Sequence, residues 1–263
     1  MKFTNIISKL AFLFGVFLLL ANTTQAAEST IWLNDVKKEF YGDREIKESS
    51  DIIELTAPYR AEDPALVPIK ITSKIPQTKE RYIKTITLFI DKNPIPFSGE
   101  FHFTPESGRA DLAMRVRVNA YSNVRAVAEL NDGTLVMHKK FVKATGGCSA
   151  PLASDMEAAM KRMGKMKFRV DNNASSAQLL ISHPNISGLQ MDQLTRLYTP
   201  AHYVEDMKIT FNNRLVLNAK TDIAISQDPN FRFYFVPKKS GVLKAEIKDN
   251  KGNRFSQTYE VKL

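Results

Sequence analysis

The chain holds a single cysteine among 263 residues. It therefore has no intrachain disulfide framework and no Cys-rich zinc or iron–sulfur centre. It also lacks the usual catalytic signatures: no nucleophile elbow, no phosphate loop, no His-Glu-x-x-His and no haem-attachment pair. After the N-terminal residues no apolar run is long enough to span a bilayer, which takes about 20 residues. Disorder is excluded as well, because 43% of residues are hydrophobic and 25% charged, an ordinary globular balance. What remains is a basic chain with net charge +9, long enough for two domains with cores of their own.

The N-terminus predicts export. Lys2 and Lys9 form a basic n-region ahead of an apolar run from Ala11 to Ala21, and Thr24-Gln25-Ala26 resembles a small-residue cleavage site. Residues 1–26 read as a signal peptide, and the run is too short for a comfortable membrane anchor. Cleavage removes two lysines and no acid, so the charge falls from +9 to +7. The expected product is periplasmic, free of the membrane and of nucleic acid, with acidic proteins or anionic ligands as suitable partners.

Ile31, Trp32, Val36 and Phe40 stand at helical spacing and predict a short amphipathic helix. Strand patterns follow at 52–56, 66–72, 83–91, 99–103, 112–119, 124–130 and 135–142, and again at 165–170, 177–182, 207–211, 214–217, 223–226, 231–236, 242–248 and 254–261. Asn131-Asp132-Gly133, Asn212-Asn213 and Asp249-Asn250-Lys251-Gly252 are hairpin turns. The expected fold is all-β: two immunoglobulin-like β-sandwich domains, 27–145 and 165–263, joined by a Gly/Pro loop and a short helix over 146–164. Ser154 and Glu157 form a capping box for that helix. Met156, Met160, Met163 and Ala159 line one face of it. Packing against a sandwich is the expectation for this stripe; soft ligation of Cu(I) is the alternative.

Cys148 sits in Gly146-Gly147-Cys148-Ser149-Ala150-Pro151, a loop with nothing evident to bury it. Lys139, Lys140 and Lys143 would favour its thiolate, the nucleophilic form. An odd cysteine in an oxidising compartment is either paired between molecules or reactive. His102, His138, His183 and His202 are the only histidines that could support it as a hydrolase nucleophile, and no local pattern does so. His183 and His202 could ligate a metal, but no third ligand stands at diagnostic spacing, so hydrogen-bonded structural roles are expected. Asn173-Ala174-Ser175 and Asn185-Ile186-Ser187 match glycosylation sequons, which would mark surface loops.

These features in this order resemble a known family. Residues 165–263 resemble SoxZ, an immunoglobulin-like subunit of the thiosulfate-oxidising Sox system. The likeness runs through Ile181-Ser182-His183-Pro184 with Gly188, Ile209 to Asn213, the stretch from Ile225 to Phe233, and Gly241-Val242-Leu243 to Gly252. Residues 32–148 resemble SoxY, through Pro64-Ala65-Leu66-Val67-Pro68, Asn93-Pro94-Ile95-Pro96, Arg115-Val116-Arg117-Val118 and Gly146-Gly147-Cys148. Joined in one chain, they are similar to the quinoprotein dehydrogenase-associated SoxYZ-like carriers. The resemblance implies a non-catalytic carrier without metal or other resident cofactor. Cys148 would be the covalent attachment point for sulfur, and Gly146 and Gly147 a flexible tether. It implies redox partners such as a c-type cytochrome, Sox-type enzymes or a quinoprotein dehydrogenase. The alternative is an interaction or assembly module for such a dehydrogenase, with an incidental thiol. In the separate-chain family the motif is a free Gly-Gly-Cys-Gly-Gly tail. Here Ser149-Ala150-Pro151 follows, so the cysteine lies in a loop held at both ends.

Overall fold

The computed structural model describes residues 29–151, 155–171, 175–192 and 195–263. The signal-peptide reading of 1–26 lies outside them. Among the described residues no helix is long and apolar enough to cross a membrane.

A short π-helical turn, Trp32–Val36, runs into α1, Lys37–Tyr41. The first half then supplies β1 (Ile46–Glu48), β2 (Ile53–Thr56), β3 (Val67–Ser73), β4 (Ile83–Ile90), β5 (Phe97–Phe103), β6 (Leu112–Val116), β7 (Ser122–Leu130) and β8 (Leu135–Val142). Helix α2, Met156–Lys161, connects the halves. The second half supplies β9 (Met166–Asp171), β10 (Ser176–Ile181), β11 (Val204–Phe211), β12 (Arg214–Thr221), β13 (Asn230–Tyr234), β14 (Gly241–Asp249) and β15 (Arg254–Val261). Residues 223–226 form no strand, only a single bridge from Ile225 to Val116. β1 escaped the sequence pattern because it has three residues, mostly exposed.

Both halves are immunoglobulin-like sandwiches, and their sheets run into one another. One sheet has the order β1-β8-β7-β4-β5-β12-β11-β14-β15, the other β2-β3-β6-β13-β10-β9. The nine-stranded sheet crosses the halves where β5 pairs antiparallel with β12, from Phe103 opposite Leu217 to Gly99 opposite Thr221. The six-stranded sheet crosses through a single register pair, Ala113 with Arg232. The core is continuous too: Phe101 of the first half packs on Phe231 of the second, ring centroids 6.1 Å apart.

Period-two patterns place the core. β3 alternates buried and exposed, so Val67, Ile69 and Ile71 face inward. β4 is buried at nearly every position, which requires cover on both faces. The N-terminal helical segment supplies it: Trp32 and Val36 pack on Phe89, Val127, Leu135 and Met137 outside the main core. Beneath Trp32 lies a fully buried ion pair. Arg125 donates to both Asp91 oxygens, at 2.7 and 2.8 Å, and its guanidinium stacks 4.6 Å from the Trp32 ring. At the β11–β12 turn Asn212 and Asn213 take φ of 49° and 65°, the left-handed pair that a tight hairpin needs.

Candidate functional site around Cys148

The segment after β6 and the loop after β8 build the cysteine environment. β6 ends at Val116 and continues as Arg117-Val118-Asn119, along which the β8 loop runs back in the opposite direction. Gly146 N–H donates to Asn119 O at 2.8 Å, and Gly147 N–H to Val118 O at 3.2 Å. Cys148 N–H reaches the Asn119 side-chain oxygen at 3.4 Å. Asn93 braces this segment, accepting from Asn119 N–H at 2.8 Å and donating to Arg117 O at 2.9 Å. From the second half, Ser187 Oγ donates to the Cys148 carbonyl oxygen at 2.5 Å.

Cys148 is therefore fully buried, with 0% of its surface exposed, which corrects the expectation of an open loop. The cover comes from chain distant in sequence, so the local Gly-Gly composition does not reveal it. Burial pushes the thiol up to about 11, and the charge of Arg117 only partly opposes this. The lysines expected to favour the thiolate are engaged elsewhere or do not act on it. Lys139 pairs with Glu48 at 2.8 Å, and Lys143 sits over the Tyr59 ring at 4.7 Å. The cation that does act on the thiol is Arg117, itself buried. Its Nη1 donates to Ile223 O and Ile225 O, and its Nε has no partner. Burial draws Arg117 down to about 10, against the opposing pull of Cys148 and Asp63.

Gly146 and Gly147 are packed in this conformation, so they are not slack. Gly146 has φ of +78°, a value that favours glycine. A Cβ on Gly147 would lie 2.1 Å from Pro64 O and 2.7 Å from Val118 O, closer than any real contact. Glycine is needed there for close backbone approach.

A second cluster lies on the loops of the other half. His183, His202 and Asp249 are all buried, with one donor atom each within 4.8 Å of the others. Asp249 is the third group that spacing did not reveal, 47 residues from His202. His202 Nε2–H donates to Asp249 Oδ2 at 2.8 Å, and His183 Nε2 lies 3.5 Å from the same oxygen. His183 Nδ1 accepts from Asn185 N–H at 3.1 Å, so its proton sits on Nε2, facing the carboxylate. Both N–H groups thus face Asp249, but only His202 bonds it; the buried His183 Nε2 has no hydrogen-bond partner, and the His202–Asp249 pair staples the loops. Burial and the neighbouring His202 lower His183 to about 4. Burial alone would raise Asp249, but the Asn253 side chain, His202 and the main-chain N–H groups of Asn253 and Lys251 hold it near 2.

This staple fixes the loop that carries Asn185 and Ser187. Asn185 is fully buried, accepting from Val204 N–H and donating to Ile225 O, so its sequon is not a surface site. Asn173 and Ala174 of the other sequon lie outside the described residues. None of the four histidines has the Cys148 thiol as a hydrogen-bond partner. His102 pairs with Glu100, and His138 accepts from Leu55 N–H.

Helix α2 departs from expectation at both its cap and its face. Asp155 is the N-cap, accepting from Ala158 N–H at 3.0 Å, while Ser154 lies outside the described residues. Of the stripe Ala159 is buried and Met163 half-buried, while Met156 and Met160 are exposed.

Residues 37–148 match the family model for sulfur oxidation protein SoxY, and residues 165–260 that for sulphur oxidation protein SoxZ. The chain is a fused SoxYZ-like protein. Cys148 is the last residue of the first match. Among solved structures, the sulfur carrier protein SoxY from Chlorobium limicola f thiosulfatophilum is 27% identical, covering 44% of this chain and 99% of its own, with a TM-score of 0.37. Superoxide reductase (neelaredoxin) from Ignicoccus hospitalis is 16% identical, covering 35% of this chain and 79% of its own, at TM-score 0.32. A putative superoxide reductase from Thermotoga maritima is 20% identical, covering 37% and 92%, at TM-score 0.32. No curated protein matches.

Proposed function

We propose that this protein is a periplasmic, non-catalytic carrier in sulfur oxidation, and that it holds its cargo covalently on Cys148. One observation carries the reading: Cys148 ends the SoxY match as Gly-Gly-Cys and is held there by a hydroxyl from the SoxZ-like half. Attachment joins Cys148 Sγ to a sulfur atom, the thiol proton leaves, and two electrons pass to a redox partner. Suitable partners are a c-type cytochrome, Sox-type enzymes or a quinoprotein dehydrogenase.

The buried thiol makes loop opening part of the function. Opening breaks the contacts to Asn119 and Ser187, and Gly146 and Gly147 then serve as the tether. The five steps from Lys143 to Cys148 reach at most about 17 Å, so a partner must offer a shallow site rather than a deep tunnel.

Intact-mass spectrometry of the protein isolated from its host tests this. The expected result is added mass on Cys148, released by a thiol reductant and absent in Cys148→Ser. An unmodified thiol under every growth condition overturns it.

The burial of Cys148 and its thiol near 11 favour a second reading, an interaction or assembly module for a periplasmic quinoprotein dehydrogenase. Host growth on alcohols separates the two. If Cys148→Ser is silent and full deletion is not, the module reading stands.

A further inference from the structure

The outer face of the six-stranded sheet carries a row of side chains that crosses from one half to the other. Thr56, Lys70, Ala113, Arg232 and Gln178 stand in register on β2, β3, β6, β13 and β10. Adjacent strands lie about 4.8 Å apart, so the Lys70 and Arg232 backbones flank Ala113 with about 10 Å between them. The alanine methyl leaves a low floor, and a groove of about 590 Å³ opens above it. Arg115, two residues along β6, shares the face of Ala113 and adds a third cation. Pro68, opposite Arg115, forms part of the wall.

These cations are not neutralised. Among the described residues Lys70 and Arg232 have no ion pair and no side-chain hydrogen bond. Arg115 donates once, from Nη2 to Asp228 O at 3.2 Å, and its buried Nε has no partner. Among the described residues no carboxylate lines this groove; Glu62 and Asp63 line the adjoining pocket, which shares Pro58, Pro68 and Arg115 with it. Three like charges around one alanine repel, and a buried donor without an acceptor costs free energy.

We propose that this groove binds a tetrahedral oxyanion carrying two negative charges. Lys70, Arg115 and Arg232 line the groove from three neighbouring strands, and a tetrahedral anion offers oxygens in three directions. A planar carboxylate would satisfy only one guanidinium fork. The site is composite: Lys70 and Arg115 come from the SoxY-like half and Arg232 from the SoxZ-like half. The inference does not rest on the carrier reading.

Calorimetric titration of the signal-free chain with sulfate and with phosphate, at constant ionic strength, tests the assignment. The expected result is saturable one-site binding. Arg232→Gln and Lys70→Gln should each weaken it about tenfold, as loss of one charge-assisted bond does. Lys47→Gln, on the distant strand β1, should leave it unchanged. Sodium chloride at matched ionic strength should give no saturable heat. Binding that survives both groove variants, with their folds verified by circular dichroism, overturns the site. Succinate binding as tightly as sulfate overturns the tetrahedral assignment.

Discussion

Ser187 holds the main chain of Cys148 from the opposite half of the molecule. Its hydroxyl donates to the Cys148 carbonyl oxygen, and Gln190 Oε1 lies 2.7 Å from the same hydroxyl. The second half therefore adds one bond to those by which Val118 and Asn119 already hold the loop closed. Ser187→Ala removes this bond at a cost of about 1 kcal/mol, which raises the open population about fivefold. Labelling of the native thiol by a small disulfide reagent should accelerate accordingly, and Ser187→Thr should restore the slow rate.

Gly147→Ala drives a methyl group into Pro64 O. Overpacking of this kind costs about 1–3 kcal/mol, and moving the loop is the simplest relief. Thermal unfolding should shift down and thiol labelling should speed up together. A destabilised protein with an unchanged labelling rate would show that the segment around Pro64 yields instead of the loop.

The His183–His202–Asp249 staple predicts acid sensitivity. Folded His183 titrates near 4, against its ordinary 6.5. Between these values the unfolded chain binds the extra proton. The contribution is thus full above pH 6.5 and is lost as pH falls towards 4. Asp249, near 2 against 3.8, extends the loss to lower pH in the same direction. Denaturant midpoints should fall between pH 7 and pH 4.5, and His183→Gln should flatten that slope.

Asp91→Ala strands the Arg125 guanidinium without a counter-charge under Trp32. Breaking a buried pair from one side costs about 3–5 kcal/mol. Urea unfolding should show a loss of that order. Trp32 fluorescence should report it, because the indole lies on the guanidinium.

The strands were readable wherever one face is buried and the other wet, as in β3 and β15's neighbour β14. Asn212-Asn213 was readable because the left-handed conformation selects its residue types. The features that matter most for Cys148 come from chain far away in sequence. Pro64, Asn119 and Ser187 hold the main chain of Gly147 and Cys148, yet none lies within the local pattern. The resemblance implies a Gly-Gly tether, and it gives no sign that Gly147 is also a point of close backbone approach to Pro64 and Val118. Asp249 is likewise legible as a turn residue, and only the fold brings it between two histidines. The lone cysteine singles out one segment of the sequence, because no other thiol competes.

The ladder between β5 and β12, with the core continuous behind it, makes the connecting peptide dispensable for adhesion. Its work is arithmetic: each thiol-bearing half is issued with one clamp, and neither can be made in excess. On the carrier reading, a partner meets both halves at once. Local concentration, not encounter between free chains, sets how often the loop recloses.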